Sequence, residues 1–313
     1  VGSLRFMTHA APRPTKQGDP GGRFVRQESR FREWVGERPE EGRYHLYVSL
    51  ACPWASRIVI VRQVKGLEDI LAMTVVDPVR DDRGWRFTAE QPDPVNGFTY
   101  LKEAYELTDP GFADRVTVPV LFDTAANRIV NNESAEILRM LNRWSTTGPD
   151  LYPEDLRTAI DDVNDRVYNS VNNGVYRAGF ATTQAAYEEA FDELFAGLDW
   201  LDDRLATRRY LLGDELTEAD WRLFVTLVRF DAVYVGHFKC NLRRIADYAH
   251  LSGYLRDLYQ QPGIADTVDF DHIKRHYYTT HPSINPTRIV PKGPELDLWA
   301  PHGRERLDRR DAA

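Results

Sequence analysis

One cysteine, set between a strand and a helix, constrains this chain more than anything else in it. Residues Tyr44-His45-Leu46-Tyr47-Val48-Ser49-Leu50 alternate and are rich in strand formers. Cys52-Pro53 breaks that strand, and Ala55 to Lys65 reads as a helix stopped by Gly66. Pro53 suits the first helical position, where its missing N–H removes no hydrogen bond. Met73-Thr74-Val75-Val76 supplies a second strand, and strand–helix–strand implies a parallel pair joined by a right-handed crossover. A thiol reacts in proportion to its thiolate fraction, which a helix N-terminus favours. Cys52 is therefore the candidate nucleophile. A dithiol oxidoreductase would carry its second cysteine at position 55, which here is Ala55. The natural intermediate is then a mixed disulfide with an external thiol. A cysteine without such a setting is more often a buried structural residue, and Cys240 is read that way.

The rest of the chain extends this beginning. Residues 80–114 read as a long insertion, either functional or containing structure of its own. Val116 to Phe122 reads as a strand interrupted by Pro119, followed by a turn at Thr124–Asn127 and a short strand at Arg128-Ile129-Val130. Asn132 is placed to cap a helix running from Glu133 to Trp144. The order β-α-β, insertion, β-β-α is that of a thioredoxin-like domain, over residues 43–145. After a linker the pattern turns helical, and an all-α domain is expected over 152–265. Tyr187, Phe191, Leu194, Leu198, Leu201 and Leu205 form one apolar helix face. Thr217 and Asp220 carry a capping-box signal of structural meaning. Residues 1–42 read as an N-terminal extension lying over the surface or partly disordered, and 266–313 as an aromatic- and proline-rich C-terminal tail contributing to the active site. The fold class is thus α/β followed by a helical bundle.

Composition narrows the function classes. A net charge of -8 argues against a nucleic-acid partner, whose binding rests on phosphate neutralisation. No apolar run approaches the roughly 20 residues of a membrane span, and no secretory h-region is visible, so no membrane association is expected. Two cysteines in 313 residues are no disulfide scaffold, and a reducing cytoplasm is the expected location. His272 and His276, four apart, lack an apparent third ligand, and no metal is expected. His237 is read as either a surface residue or a substrate contact.

Two further segments belong with Cys52. Thr117-Val118-Pro119 precedes a strand, a cis Val-Pro bond is plausible there, and its backbone could pair with an extended peptide. Glu133 and Ser134 open a helix, where N–H groups and a hydroxyl can bind a carboxylate. Each alone has an ordinary explanation, an edge strand or a cap. Together with Cys52 they describe a groove for a small peptide bearing a thiol.

These residues resemble those of the glutathione transferase superfamily, and within it the xi class, the glutathionyl-hydroquinone reductases. The resemblance is carried by Tyr47-Val48-Ser49-Leu50-Ala51-Cys52-Pro53-Trp54-Ala55, Gly84-Trp85-Arg86-Phe87, Arg115-Val116-Thr117-Val118-Pro119-Val120-Leu121-Phe122-Asp123 and Val130-Asn131-Asn132-Glu133-Ser134. His276-Tyr277-Tyr278, Ile284-Asn285-Pro286 and Ile289-Val290-Pro291-Lys292-Gly293-Pro294 add to it. It implies glutathione as co-substrate, a glutathionyl-hydroquinone as substrate and a homodimer. It implies that Cys52 attacks the sulfur of the conjugate and holds glutathione as a mixed disulfide. Trp85, Arg115, Val116, Thr117, Val118, Glu133 and Ser134 would hold the glutathione. Tyr176 would donate the proton to the departing aromatic carbon, and Tyr234 and Tyr277 would help Cys52 ionise. The alternatives are an omega-like thioltransferase or dehydroascorbate reductase, which would not need Trp85 or Tyr277, and a non-catalytic interaction module.

Overall fold

A computed structural model describes residues 18–307 apart from 38 and 146. Four strands, β1 (Tyr44–Val48), β2 (Ala72–Val75), β3 (Val120–Asp123) and β4 (Arg128–Asn131), form a mixed sheet of order β2-β1-β3-β4. β1 pairs parallel with β2, while β1–β3 and β3–β4 are antiparallel. Every residue of β1 is buried, so its alternation serves two covered faces rather than one core and one solvent face. Helix α1 (Pro53–Val64) makes the expected crossover and ends at Gly66, whose φ of 59° closes the helix in the left-handed region. The Val118–Pro119 peptide is cis.

The insertion is not a bare loop. Helix α2 (Lys102–Thr108) lies within it, and Trp85, Phe87, Leu101, Tyr105 and Phe112 enter the core. Asp93 pins it: its carboxylate accepts the N–H groups of Val95, Asn96 and Phe98 and the hydroxyl of Tyr47. A long connection that brings its own apolar residues and satisfied backbone is fold rather than linker.

Helix α3 (Ser134–Trp144) begins one residue later than its sequence suggests, with Glu133 rather than Asn132 as the cap. The Glu133 carboxylate accepts the Ala135 N–H at 3.1 Å. Asn132 is instead turned inward, where its amide donates to the Tyr105 hydroxyl and its oxygen accepts the Phe31 N–H. Asn132 thereby ties the Phe31 backbone of the extension to the hydroxyl pair of Tyr105 and Thr117, a use of its amide that capping would forgo.

The helical part contains α4 (Arg157–Val167), α5 (Gly174–Gly179), α6 (Gln184–Leu205), α7 (Glu218–Arg229) and α8 (Leu251–Tyr259). Leu194, Leu198, Leu201 and Leu205 of α6 are buried as their spacing requires, with Tyr187 and Phe191 packed at the margin. Asp220 reaches back to the Thr217 N–H at 2.9 Å, closing the capping box at the start of α7. π-helical turns, Tyr168–Asn172 before α5 and Phe230–Tyr234 after α7, carry side chains toward the site described next. No helix among the described residues is long and apolar enough to cross a membrane.

Both ends of the described chain depart from the sequence reading. The segment Phe270–Thr280 is a helix, α9, capped by Asp269. In sequence it reads as an irregular tail because its inward face combines Ile273 with His276 and Tyr277, residues that do not register as an apolar stripe. The extension, from residue 18 onward, is built into the fold. Its Arg32 bridges Asn131 on the free edge of β4, and Phe31 packs against Tyr105 and Phe112. The part of the extension in residues 1–17 lies outside the described residues.

Candidate active site

Cys52 caps α1, with Pro53 in the first turn. Its backbone is held from both sides: its N–H donates to Ser49 O, and its C=O accepts the Ser56 N–H. From α7, the buried Arg229 donates to the carbonyls of Leu50 (2.8 Å) and Ala51 (3.1 Å) and to Ser56 Oγ (2.6 Å). One guanidinium thus fixes the turn that presents the thiol. The Cys52 thiol faces Val118 O at 3.6 Å. The Val118 N–H makes no hydrogen bond among the described residues, which leaves it for a ligand backbone.

A cleft opens at Cys52, lined also by Trp54, Arg80, Trp85, Arg115, Val116, Thr117, Val118, Tyr176 and Tyr277. Phe24, Arg26, Phe180, His276 and His281 complete the wall. Tyr234, Pro119, Glu133 and Ser134 do not line it. Pro119 is buried beside Val118, while Glu133 and Ser134 sit at the head of α3, where Glu133 accepts the Ser29 hydroxyl and Ser134 Oγ accepts from Arg57. Tyr234 stands behind the wall, fully buried.

The three tyrosines form a chain of hydroxyls. Tyr277 Oη lies 2.6 Å from Tyr176 Oη and 3.0 Å from Tyr234 Oη. Among the described residues neither Tyr277 nor Tyr234 is hydrogen-bonded to the Cys52 sulfur. Tyr277 stands in the middle and links Tyr234 to Tyr176. Burial raises the pKa of all three, so each is a neutral donor at ordinary pH. Arg26 lies over the Tyr176 ring at 4.6 Å and pulls in the opposite direction. A proton lost from Tyr176 would leave an oxyanion facing Tyr277 Oη, itself backed by Tyr234.

The cleft is cationic. Arg26, Arg80 and Arg115 line it with no acidic side chain, and burial lowers Arg80 and brings Arg115 down to about 10. The charges of Arg80 and Arg115 are each supported by Cys52. Such a site suits a thiolate and an anionic ligand. Phe24, Arg26, Arg80, Phe180 and His281 have no sequence signal as site residues, and Trp54 and His276 stand in the motifs of the resemblance without an assigned role in the cleft. Arg26 belongs to an extension without periodicity, and the sequence offers His276 as half of a metal pair and as part of the His276-Tyr277-Tyr278 run. His276 in fact bonds Pro78 O through Nδ1 at 2.7 Å, while His272 lies near Asp269. Among the described residues no group of three or more His, Cys, Asp or Glu is arranged for a metal. His237 is buried behind the cleft and bonds His281 at 3.1 Å.

Cys240 is the other thiol. It is buried, burial pushes its pKa up, and it contacts Phe238 O. It is no partner for Cys52, and both cysteines are free.

These buried imidazoles give a pH dependence. Burial holds His45 and His237 down to about 4 and His276 down to about 3, against an ordinary 6.5. Between those values the unfolded chain binds protons that the folded one refuses. Their contribution to stability is therefore complete above pH 6.5 and is lost as the pH falls toward 4, at about 1.4 kcal/mol per pH unit per histidine. Urea midpoints between about pH 7.5 and pH 5 should fall accordingly, and a flat profile would contradict the burial.

Comparison with known proteins bears on most of the chain. The family model described as "Glutathione S-transferase, N-terminal domain" matches residues 51–144, and "Glutathione S-transferase, C-terminal domain" matches 184–257. A relative from Sphingobium chlorophenolicum, "Glutathionyl-hydroquinone reductase PcpF", is 53% identical, over 89% of this chain and 92% of its own. "Glutathionyl-hydroquinone reductase YqjG" of Escherichia coli is 50% identical, over 91% of this chain and 93% of its own. The glutathione-bound structure of YqjG has a TM-score of 0.84 at 49% identity, covering 88% of this chain and 96% of that one. The "Xi Class GST from Natrialba magadii" has a TM-score of 0.87 at 53% identity, covering 88% and 89%.

Proposed function

The chain belongs to the glutathione S-transferase family, in its xi class of glutathionyl-hydroquinone reductases, and on that premise we propose that it strips glutathione from glutathionyl-hydroquinones through Cys52. In the first half-reaction the Cys52 thiolate attacks the sulfur of the conjugate. A sulfur–sulfur bond forms, the carbon–sulfur bond breaks, and its electron pair stays on the ring carbon, which takes a proton from Tyr176. The ring is reduced and the two sulfurs are oxidised. In the second half-reaction a glutathione thiolate attacks the glutathione sulfur of the mixed disulfide, releasing oxidised glutathione and the Cys52 thiolate.

The observation that carries this reading is the placement of one nucleophilic thiol and one buried tyrosine-hydroxyl chain in the same cleft. Thiol exchange alone needs the cysteine; protonating a carbon leaving group needs the donor as well. In this reading the free Val118 N–H, with its C=O, pairs with the glutathione backbone, and Pro119 fixes that edge. Arg115, with Val116 and Thr117, offers charge and backbone to a carboxylate. Trp85 covers the tripeptide, while Glu133 and Ser134 at the head of α3 receive its ammonium and second carboxylate. A reducing cytoplasm agrees with two free cysteines. A homodimer belongs to the same reading and is checked by mass in solution.

The test is a comparison of substrates. With glutathione present, a glutathionyl-hydroquinone should be turned over with kcat/KM at least about 100-fold above dehydroascorbate. The reverse order would move the assignment to an omega-like thioltransferase. No turnover of either, without a Cys52 adduct, would favour a non-catalytic module.

A further inference from the structure

We propose that His276 recognises the phenolic hydroxyl adjacent to the carbon–sulfur bond of the substrate, accepting its hydrogen on Nε2. The proposal deepens the reductase reading above and rests on it. His276 lines the cleft together with Cys52, Tyr176 and Tyr277. Its Nδ1 lies 2.7 Å from Pro78 O. A carbonyl oxygen only accepts, so Nδ1 carries the ring hydrogen and Nε2 presents a lone pair. Nε2 makes no hydrogen bond among the described residues. The ring is held in place by stacking on Trp85, with centroids 5.0 Å apart and planes 17° from parallel.

The surroundings keep that lone pair available. Burial, with the Arg80 charge added, lowers His276 to about 3, so it is neutral at ordinary pH. Of the other polar side chains of the cleft, three guanidiniums only donate and two tyrosine hydroxyls are joined to each other, while the Thr117 hydroxyl is engaged with Tyr105 and Asn132 and His281 is bonded through Nδ1 to His237. No carboxylate lines the cleft to receive a phenol. His276 is the imidazole of this wall whose tautomer a backbone carbonyl fixes, and a substrate hydroxyl brought against Trp85 finds its acceptor there.

Such a bond selects substrate and assists chemistry. A hydroxyl ortho to the thioether feeds electron density onto the carbon bearing sulfur. Accepting its hydrogen strengthens that donation and makes the carbon more basic toward the Tyr176 proton. His276 keeps its own hydrogen throughout. The substrate class is thus aryl thioethers of glutathione with a free ortho hydroxyl, as in hydroquinone or catechol conjugates.

The experiment pairs two conjugates with three proteins. One conjugate carries the free ortho hydroxyl, the other its methyl ether; the proteins are the wild type, His276→Phe and His276→Gln. His276→Phe keeps a flat ring against Trp85 and removes the acceptor, while His276→Gln restores one. In the wild type, methylation should cost on the order of tenfold in kcat/KM. His276→Phe should lose a similar factor on the free hydroxyl and nothing further on the ether, with part of the loss recovered in His276→Gln. Equal losses on both conjugates would overturn the proposal. So would a matching slowdown when glutathione releases the Cys52 mixed disulfide, which would assign His276 to glutathione. A wild type that turns over neither conjugate would remove the reductase reading itself, and the proposal with it.

Discussion

Cys52→Ser should lower turnover of a glutathionyl-hydroquinone about a thousandfold or more while leaving the fold intact. Serine fits the volume of Cys52, and its hydroxyl can donate to Val118 O where the thiol now does. What it cannot do is form the sulfur–sulfur bond that stores glutathione between the two half-reactions. No other thiol can substitute. Position 55 is alanine, and Cys240 lies buried against Phe238 with burial raising its pKa. Loss of a covalent nucleophile typically costs several orders of magnitude even when the rest of the site survives. Steady-state kinetics with circular dichroism as the folding control would measure it, and a variant keeping a tenth of the activity would rule out covalent catalysis at Cys52.

Tyr176→Phe should be the second severe loss, about 100-fold in hydroquinone release, and should spare the second half-reaction. The ring of Tyr176 packs among Phe24, Trp54, Phe180 and Phe238, and phenylalanine keeps all of those contacts. Only the hydroxyl and its 2.6 Å link to Tyr277 disappear. Tyr277 also lines the cleft, but it is fixed on α9 and its hydroxyl is held by the bond to Tyr234. Rapid mixing separates the steps: slow hydroquinone release with normal release of oxidised glutathione is expected. Equal slowing of both would mean that the hydroxyl organises the cleft rather than protonating carbon.

Much of this site could be read from residues in order because the chain builds its thiol side locally. Strand, Cys52-Pro53 and helix follow one another within twenty-odd residues, and the cis Val118–Pro119 edge announces itself by a proline before a strand. The aromatic side is assembled from far-apart segments, and its signals are correspondingly weak. Tyr176 comes from α5, Tyr234 from a π-helical turn and Tyr277 from α9. Their grouping follows from packing between elements, and only the family resemblance had suggested it. Arg26 and Phe24 come from an extension that carries no period, yet their side chains cover Trp54 and Tyr176. Asn132 shows the opposite failure. Its sequence position reads as a cap, but in the fold its side chain links the Phe31 N–H to the Tyr105 hydroxyl, partners that come from distant segments.

The central claim is that glutathione passes through a covalent bond to Cys52. The most direct measurement mixes the protein with an equivalent of glutathionyl-hydroquinone in the absence of free glutathione, then determines the protein's mass and maps the adduct. One glutathione on Cys52 for each hydroquinone released is the predicted result, and added glutathione should remove it as oxidised glutathione. Hydroquinone released only after free glutathione is added, with Cys52 never modified, would contradict the account.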